Sequence, residues 1–253
     1  MIKSTIKYLL FLLPIVTFAQ NRTYIGAEFG PKFDVYQYTD NGNGLYTQPF
    51  VFSPIYGFIV GQELNRTFAV ETGFYINNYG ESYGIKGDFG YSTSNAIVAY
   101  QLPLKLKSRL PLIREKLNVA ATIGYTFAIN SSYGASGMGY GFVTNSSPIY
   151  NDSTRTEDIS TYSLEKNYGL IEMGLSLDYT LKNSWTLYIA ANYMKGWRRI
   201  VQIDVKYWIN DQPEQTGTVF STGDYLSIAF GARYPISNFW TKKPDNEWIK
   251  RNF

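Results

Sequence analysis

Nine charged residues sit at even spacing within apolar, strand-like stretches of the chain. They are Glu28, Lys32 and Asp34, then Glu71, then Lys105 and Lys107, then Glu172 and Asp178, and finally Arg233. Side chains two, four or six residues apart on an extended backbone point to the same face, so these nine are expected to share one interior. Carboxylates near lysines could serve as a general acid and base, or a lysine could activate a serine. The chain has no histidine, which closes the usual route to a base near neutral pH. It has no cysteine either, so it holds no thiol nucleophile, disulfide, cysteine metal site or cysteine lipid anchor. Acids and bases in the set nearly balance. A narrow interior filled by its own side chains needs such mutual neutralisation, so the nine are read as a structural charge network. No catalytic residue, cofactor or metal ligand is expected.

A glycine-rich stretch, Gly134-Ala135-Ser136-Gly137-Met138-Gly139-Tyr140-Gly141-Phe142, has the look of a phosphate cradle. No Gly-Lys-Ser/Thr and no helix pattern follow it, so it is read as part of a long surface loop. Asp152-Ser153-Thr154 in the same loop resembles a short O-glycosylation acceptor.

The elements that must carry these residues are strands. From Leu117 to Ile129 every second residue is apolar (Leu117, Val119, Ala121, Ile123, Tyr125, Phe127, Ile129), and the residues between are small or polar. The same alternation returns at Ile171, Met173, Leu175, Leu177 and Tyr179, at Trp185, Leu187, Ile189, Ala191 and Tyr193, at Leu226, Ile228, Phe230, Ala232 and Tyr234, and at Tyr100, Leu102, Leu104 and Leu106. One face is oily and the other wet. In a closed barrel crossing a bilayer the oily faces meet lipid and the wet faces line the lumen. The segment with Ile55 and Ile59 opposing Tyr56, Phe58 and Val60 reads equally well either way.

Eight strands are expected, approximately 23–38, 50–64, 68–79, 95–109, 117–130, 168–181, 185–209 and 218–236. Short turns at 65–66, 182–184 and around Pro111 alternate with long connections at 39–49, 80–94, 131–167 and 210–217. Outer-membrane barrels sort their loops in this way, with short turns periplasmic and long loops outside. A soluble sandwich has no reason to do so. The chain therefore reads as all-β, an eight-stranded antiparallel up-and-down transmembrane β-barrel. The seventh strand is far longer than the about 9 to 11 residues a crossing requires, so with the eighth it should project as a hairpin turning near Asp211-Gln212-Pro213. Tyr24, Tyr100, Tyr179, Trp185 and Tyr234 fall near strand ends, where amphipathic rings settle at the membrane interface. Glycines at 26, 30, 57, 73, 174 and 231 fall on the wet face, where large side chains need small neighbours.

Lys3 and Lys7 precede an apolar run from Tyr8 to Phe18, with Thr17 and Ala19 small before Gln20. This reads as a cleaved signal peptide over residues 1–19. The barrel would then occupy 20–236, and 237–253, rich in Lys, Arg and Trp, would be a periplasmic tail. The chain carries 23 Lys+Arg against 20 Asp+Glu, and removing Lys3 and Lys7 with the leader brings the two almost level. Nothing in that balance suggests nucleic acid.

The stretch from Ala96 to Lys107, AIVAYQLPLKLK, with Glu71-Thr72-Gly73-Phe74-Tyr75 before it and 118–124 after it, resembles the PorT-like outer-membrane barrel proteins of Bacteroidetes, which share the OmpA-like eight-stranded plan. Gln101 stands where an acidic residue is common among them. The resemblance implies a location in the cell outer membrane and a non-enzymatic structural or interaction role. Its partners would be outer-membrane lipid and lipopolysaccharide, with envelope or secretion proteins of the type IX kind. A surface adhesin or ligand binder acting through the long loops is the alternative. Neither the partner nor the oligomeric state is written in the sequence.

Overall fold

A computed structural model describes residues 23–47, 50–85, 92–113, 116–132, 134–143, 155–209 and 213–236. The expected leader and tail lie outside the described residues. Fourteen strands are present among them, in two sheets. Eight strands form the barrel wall: β1 (Thr23–Val35), β4 (Phe50–Glu63), β5 (Phe68–Ile85), β6 (Ser92–Ile113), β7 (Leu117–Asn130), β10 (Asn167–Thr180), β11 (Thr186–Lys195) and β14 (Tyr225–Pro235). They pair in the order β5-β4-β1-β14-β11-β10-β7-β6, and β6 pairs back onto β5, so the sheet closes and has no free edge. Every one of these pairings is antiparallel.

The wall strands are long enough to cross a bilayer, and the alternation seen in the sequence sets which way each side chain points. Phe29, Leu104 and Leu175 are each more than 60% exposed, and Phe58, Leu102, Leu106, Ile123, Tyr125, Leu177, Leu187 and Phe230 continue the band around the cylinder. A soluble protein does not expose apolar surface on this scale. The band is therefore the lipid-facing belt of a membrane-spanning barrel. In β4 the two-way reading resolves with Ile55 and Ile59 inward and Phe52, Tyr56 and Phe58 outward. Tight turns close one end. Asn65 Oδ1 accepts from the backbone N–H groups of Thr67 and Phe68, and Leu181 N–H donates to Trp185 O at 2.7 Å.

At the opposite end the structure departs from the expected strands. Five further strands, β2 (Gln37–Asp40), β8 (Gly134–Val143), β9 (Arg155–Ser163), β12 (Val201–Ile209) and β13 (Gln215–Ser221), form a second sheet in the order β2-β13-β12-β9-β8. β3 (Leu45–Thr47) adds to the extended end of β5. Residues 185–209 are thus not one strand, because β11 stops at Lys195 and β12 begins at Val201 in the other sheet. The expected hairpin is present as β12 and β13, but it is detached from the wall. The reason is a local close approach: a Cβ on Gly196 would lie 1.9 Å from Thr222 O. The Gly196 N–H donates to Asp224 Oδ1 at 2.8 Å, and Gly223 turns through φ +84°. Strand β1 breaks at Tyr36 on the same level, where Val35 N–H donates to Asp224 O. Residues 131–167, expected as a loop, contain β8 and β9. On its inward face strand β9 places the buried Thr161 and Ser163 beside a single apolar residue, Ile159, so no apolar alternation marks it.

Candidate functional site

The lumen is built from rows of residues that face one another across neighbouring strands, and glycines set where the large side chains fit. One row runs Tyr75, Gly57, Glu28, Gly231, Tyr188 across β5, β4, β1, β14 and β11. The two tyrosine rings occupy the space over the two glycines: a Cβ on Gly57 would come within 2.1 Å of the Tyr75 ring, and one on Gly231 within 2.2 Å of Tyr188. Both hydroxyls are thereby brought to Glu28, Tyr188 donating to its carboxylate at 2.6 Å. A second row runs Lys105, Gly124, Glu172 across β6, β7 and β10. With no side chain at Gly124, the lysine and the glutamate meet over it at 2.7 Å.

All nine sequence-predicted residues lie in this interior, eight of them buried and Glu28 half-buried. They fall into three groups along the axis. Nearest the tight turns, Arg233 reaches Asp178 at 3.0 Å and Glu71 at 3.3 Å, while Lys107 reaches Asp178 at 2.6 Å and Glu71 at 3.9 Å. The Arg233 guanidinium also stacks 3.7 Å from the centre of the Tyr188 ring. In the middle, Lys105 and Glu172 pair beside Glu28, and Lys105 Nζ donates to the Tyr75 hydroxyl at 3.3 Å. At the top, Lys32 pairs with Asp34 two residues along its own strand, Ser53 Oγ donates to Asp34 at 2.9 Å, and the ammonium lies over the rings of Tyr79 and Tyr225. Each buried charge thus meets an opposite charge, an aromatic face or a hydroxyl, as burial in a low dielectric demands.

The sequence reading missed the tyrosines of this network. Tyr24, expected at the membrane interface, is 4% exposed and points inward, donating to Glu71 at 2.7 Å. Its parity with Gly26, Glu28, Gly30 and Lys32 carries that information. Tyr75, Tyr79, Tyr188 and Tyr225 follow the same rule. Arg109 and Glu63, paired at 2.6 Å near the tight turns, also belong to the network's lower rim. Tyr100, Tyr179 and Trp185 do face outward, and Trp185 packs against Tyr234 with ring centres 5.0 Å apart.

Above the charges apolar and aromatic side chains pack together. Tyr79, Ile97, Tyr168, Leu170, Ile200, Val201 and Tyr225 pack in one cluster, and Tyr168 donates to the Tyr79 hydroxyl at 3.0 Å. Tyr36, Leu45, Val51, Tyr83, Ile203, Val205, Tyr207 and Val219 form a second cluster beneath the five-stranded sheet. The Tyr207 hydroxyl donates to Asp40 at 2.7 Å and accepts from Gly44 N–H at 3.0 Å, which fastens β12 to the β2–β3 connection. Burial and the bond to Asp40 push this hydroxyl up to about 12. A cavity of about 10 Å³, bordered by Glu28, Gln101, Lys105, Glu172 and Ser227, lies in the middle of the lumen. It has room for about one water.

No family model matches the sequence, and no curated protein matches it. Among solved structures, the chain is similar to the outer membrane protein OprG from Pseudomonas aeruginosa, at 13% identity and a TM-score of 0.46, covering 85% of this chain and 96% of that one. It is also similar to a major outer membrane protein from Thermus thermophilus (12% identity, TM-score 0.39, 84% and 98%) and to the Escherichia coli outer membrane protein W (12%, 0.36, 87% and 100%). These likenesses extend to the fold and no further. The membrane-barrel assignment stands on the closed strand order and the apolar belt.

Proposed function

We propose that this chain is a non-enzymatic integral barrel of the cell outer membrane, with a plugged lumen, that acts as a structural or interaction protein. The observation that carries the reading is the lumen itself, occupied by paired charges and sealed by two layers of apolar side chains. The lumenal carboxylates are engaged by lysines, arginines or hydroxyls, which favours a structural over a catalytic use. Interaction through the end formed by the long connections is supported by the five-stranded sheet there, since that end carries an ordered surface. The resemblance of residues 96–107 to PorT-like proteins supports a secretion or envelope-assembly partner, and the sheet favours a surface-ligand role. Crosslinking in intact cells separates the two by the compartment of the captured protein. Planar-bilayer recording tests the plug. The purified folded chain should give no large, stable conductance, and a large, stable open state would refute the closed lumen.

A further inference from the structure

The step between β11 and β12 leaves a feature that neither the barrel nor its plug uses. The backbone leaves the wall at Gly196 and re-enters the protein at Ile200, which is fully buried. Both ends are fastened. Asp224 accepts from Gly196 N–H and from Thr222 Oγ1 and pairs with Lys195; Ile200 N–H donates to Ser221 O at 2.9 Å, and its carbonyl accepts from Leu164 N–H at 3.0 Å. Between these anchors Trp197, Arg198 and Arg199 are all exposed, Trp197 at 63%. A large aromatic ring and two adjacent arginines are thus displayed outward on a tied-down corner.

Their height on the barrel is informative. Met173, Tyr193 and Leu226 are mutual neighbours in register and exposed, and only Ile171, opposite Lys195, continues the outward apolar face beyond them on these strands. Two residues beyond Tyr193 come Lys195 and then the corner. Trp197, with Leu164 beside the corner also exposed, therefore sits where the hydrocarbon belt ends and headgroups begin, the level at which tryptophan is preferred. The acids there are few and occupied. Asp224 is committed to Lys195 and the backbone, and Glu165 meets Arg198 only at 3.5 Å on an exposed edge. Arg199 rests on the Phe220 ring, its guanidinium 3.9 Å from the ring centre. Lys166 adds a further exposed cation. Arginine presents a planar fork of donors suited to phosphate oxygens.

We infer that the Trp197–Arg199 corner binds the phosphorylated headgroup of an outer-leaflet glycolipid of the lipid A type, the arginines holding phosphate and the tryptophan lying against the sugar and upper acyl region. This rests on the orientation adopted above, with the long connections outside. An anionic lipid attracts interfacial cations in proportion to their number, so each arginine should contribute a roughly five-fold gain in retention.

The test uses the full chain, extracted folded in neutral detergent and titrated with mixed micelles containing lipid A. The unmodified protein should bind, and Arg198→Gln with Arg199→Gln should weaken binding about five-fold per residue while the migration shift between unboiled and boiled samples stays unchanged. Wild-type affinity in the folded double variant overturns the site. Equal binding of dephosphorylated lipid A also overturns it, since acyl chains alone would then suffice, and so does displacement by inorganic phosphate at matched concentration, which would make it a free-anion site. Because the chain has no cysteine, Glu214→Cys reports orientation separately through an impermeant thiol reagent on intact cells. Labelling combined with unaltered lipid retention refutes the lipid site alone, whereas no labelling refutes the orientation.

Discussion

Arg233 is the residue whose removal tests the lumen network most directly. Its side chain is 6% exposed, meets two carboxylates at 3.0 and 3.3 Å, and stacks on Tyr188. Arg233→Ala leaves Glu71 and Asp178 sharing Lys107, which approaches Glu71 only to 3.9 Å. One buried carboxylate is then short of a cation, and breaking a buried pair in this way costs about 3 to 5 kcal/mol. The comparison variant is Lys206→Ala. That pair with Glu214 spans 3.8 Å with both side chains about half exposed, and exposed pairs contribute about 0 to 1 kcal/mol. Denaturant-induced unfolding and refolding in lipid vesicles, followed by tryptophan fluorescence, measures both. Adding Glu71→Gln to Arg233→Ala should recover part of the loss, because it removes the carboxylate left short. A loss for Arg233→Ala no larger than that for Lys206→Ala would refute the claim that the lumenal charges hold one another.

Replacing Lys105 and Glu172 together by methionine should be near neutral or stabilising, while either single change costs about 3 to 5 kcal/mol in the same unfolding measurement. Gly231→Ala should displace the Tyr188 ring from its seat and cost about 1 to 3 kcal/mol, and Tyr188→Phe in the same background should show that the bond to Glu28 is already lost. Tyr207 gives a pH signature outside the bilayer. Its hydroxyl is raised above the ordinary tyrosine value to about 12, so the stability it lends through its proton is whole below about pH 10 and is lost as pH rises through 12. The difference in tyrosinate absorbance between the unmodified chain and Tyr207→Phe should titrate near pH 12, and a difference that titrates near the ordinary value of about 10 would refute the assignment.

The belt and the lumen were legible because two solvents act on one chain. Lipid outside and a crowded polar interior impose a period of two, and wherever both act, as from Leu117 to Ile129, parity assigns each side chain. At Tyr24 residue type and parity disagree, and parity with Glu28 and Lys32 is what places the ring in the lumen. Beyond the bilayer that rule lapses. Strand β9 faces protein with Thr161 and Ser163 and carries no oily stripe, so it was indistinguishable from a loop. The break after Lys195 was equally hidden. It depends on Gly196 lying against Thr222 O and on Asp224 accepting from Gly196 N–H and pairing with Lys195, contacts between segments 26 or more residues apart in sequence. The lumen's members could be read, but the pairings could not. Strand register sets Lys105 opposite Glu71, yet its ammonium goes across Gly124 to Glu172 because a narrow barrel lets side chains reach past a glycine on the strand between.

That crossing of register explains how so many charges share so small an interior. In each row a long side chain is followed by a glycine, so the space one residue needs is vacated by its neighbour on the next strand, and polar heads from alternate strands converge at the axis. An alanine at Gly57, Gly124 or Gly231 would separate pairs that are not adjacent in the sheet. The same economy ends at the level of Tyr36, Gly196 and Gly223, where the wall strands β1, β11 and β14 stop together and the aromatic cluster packs above the charges. Above that level the chain no longer has to satisfy lipid on one side and a charged interior on the other. The exposed corner at Trp197–Arg199 borders that level, and the five-stranded sheet lies beyond it, freed from both constraints.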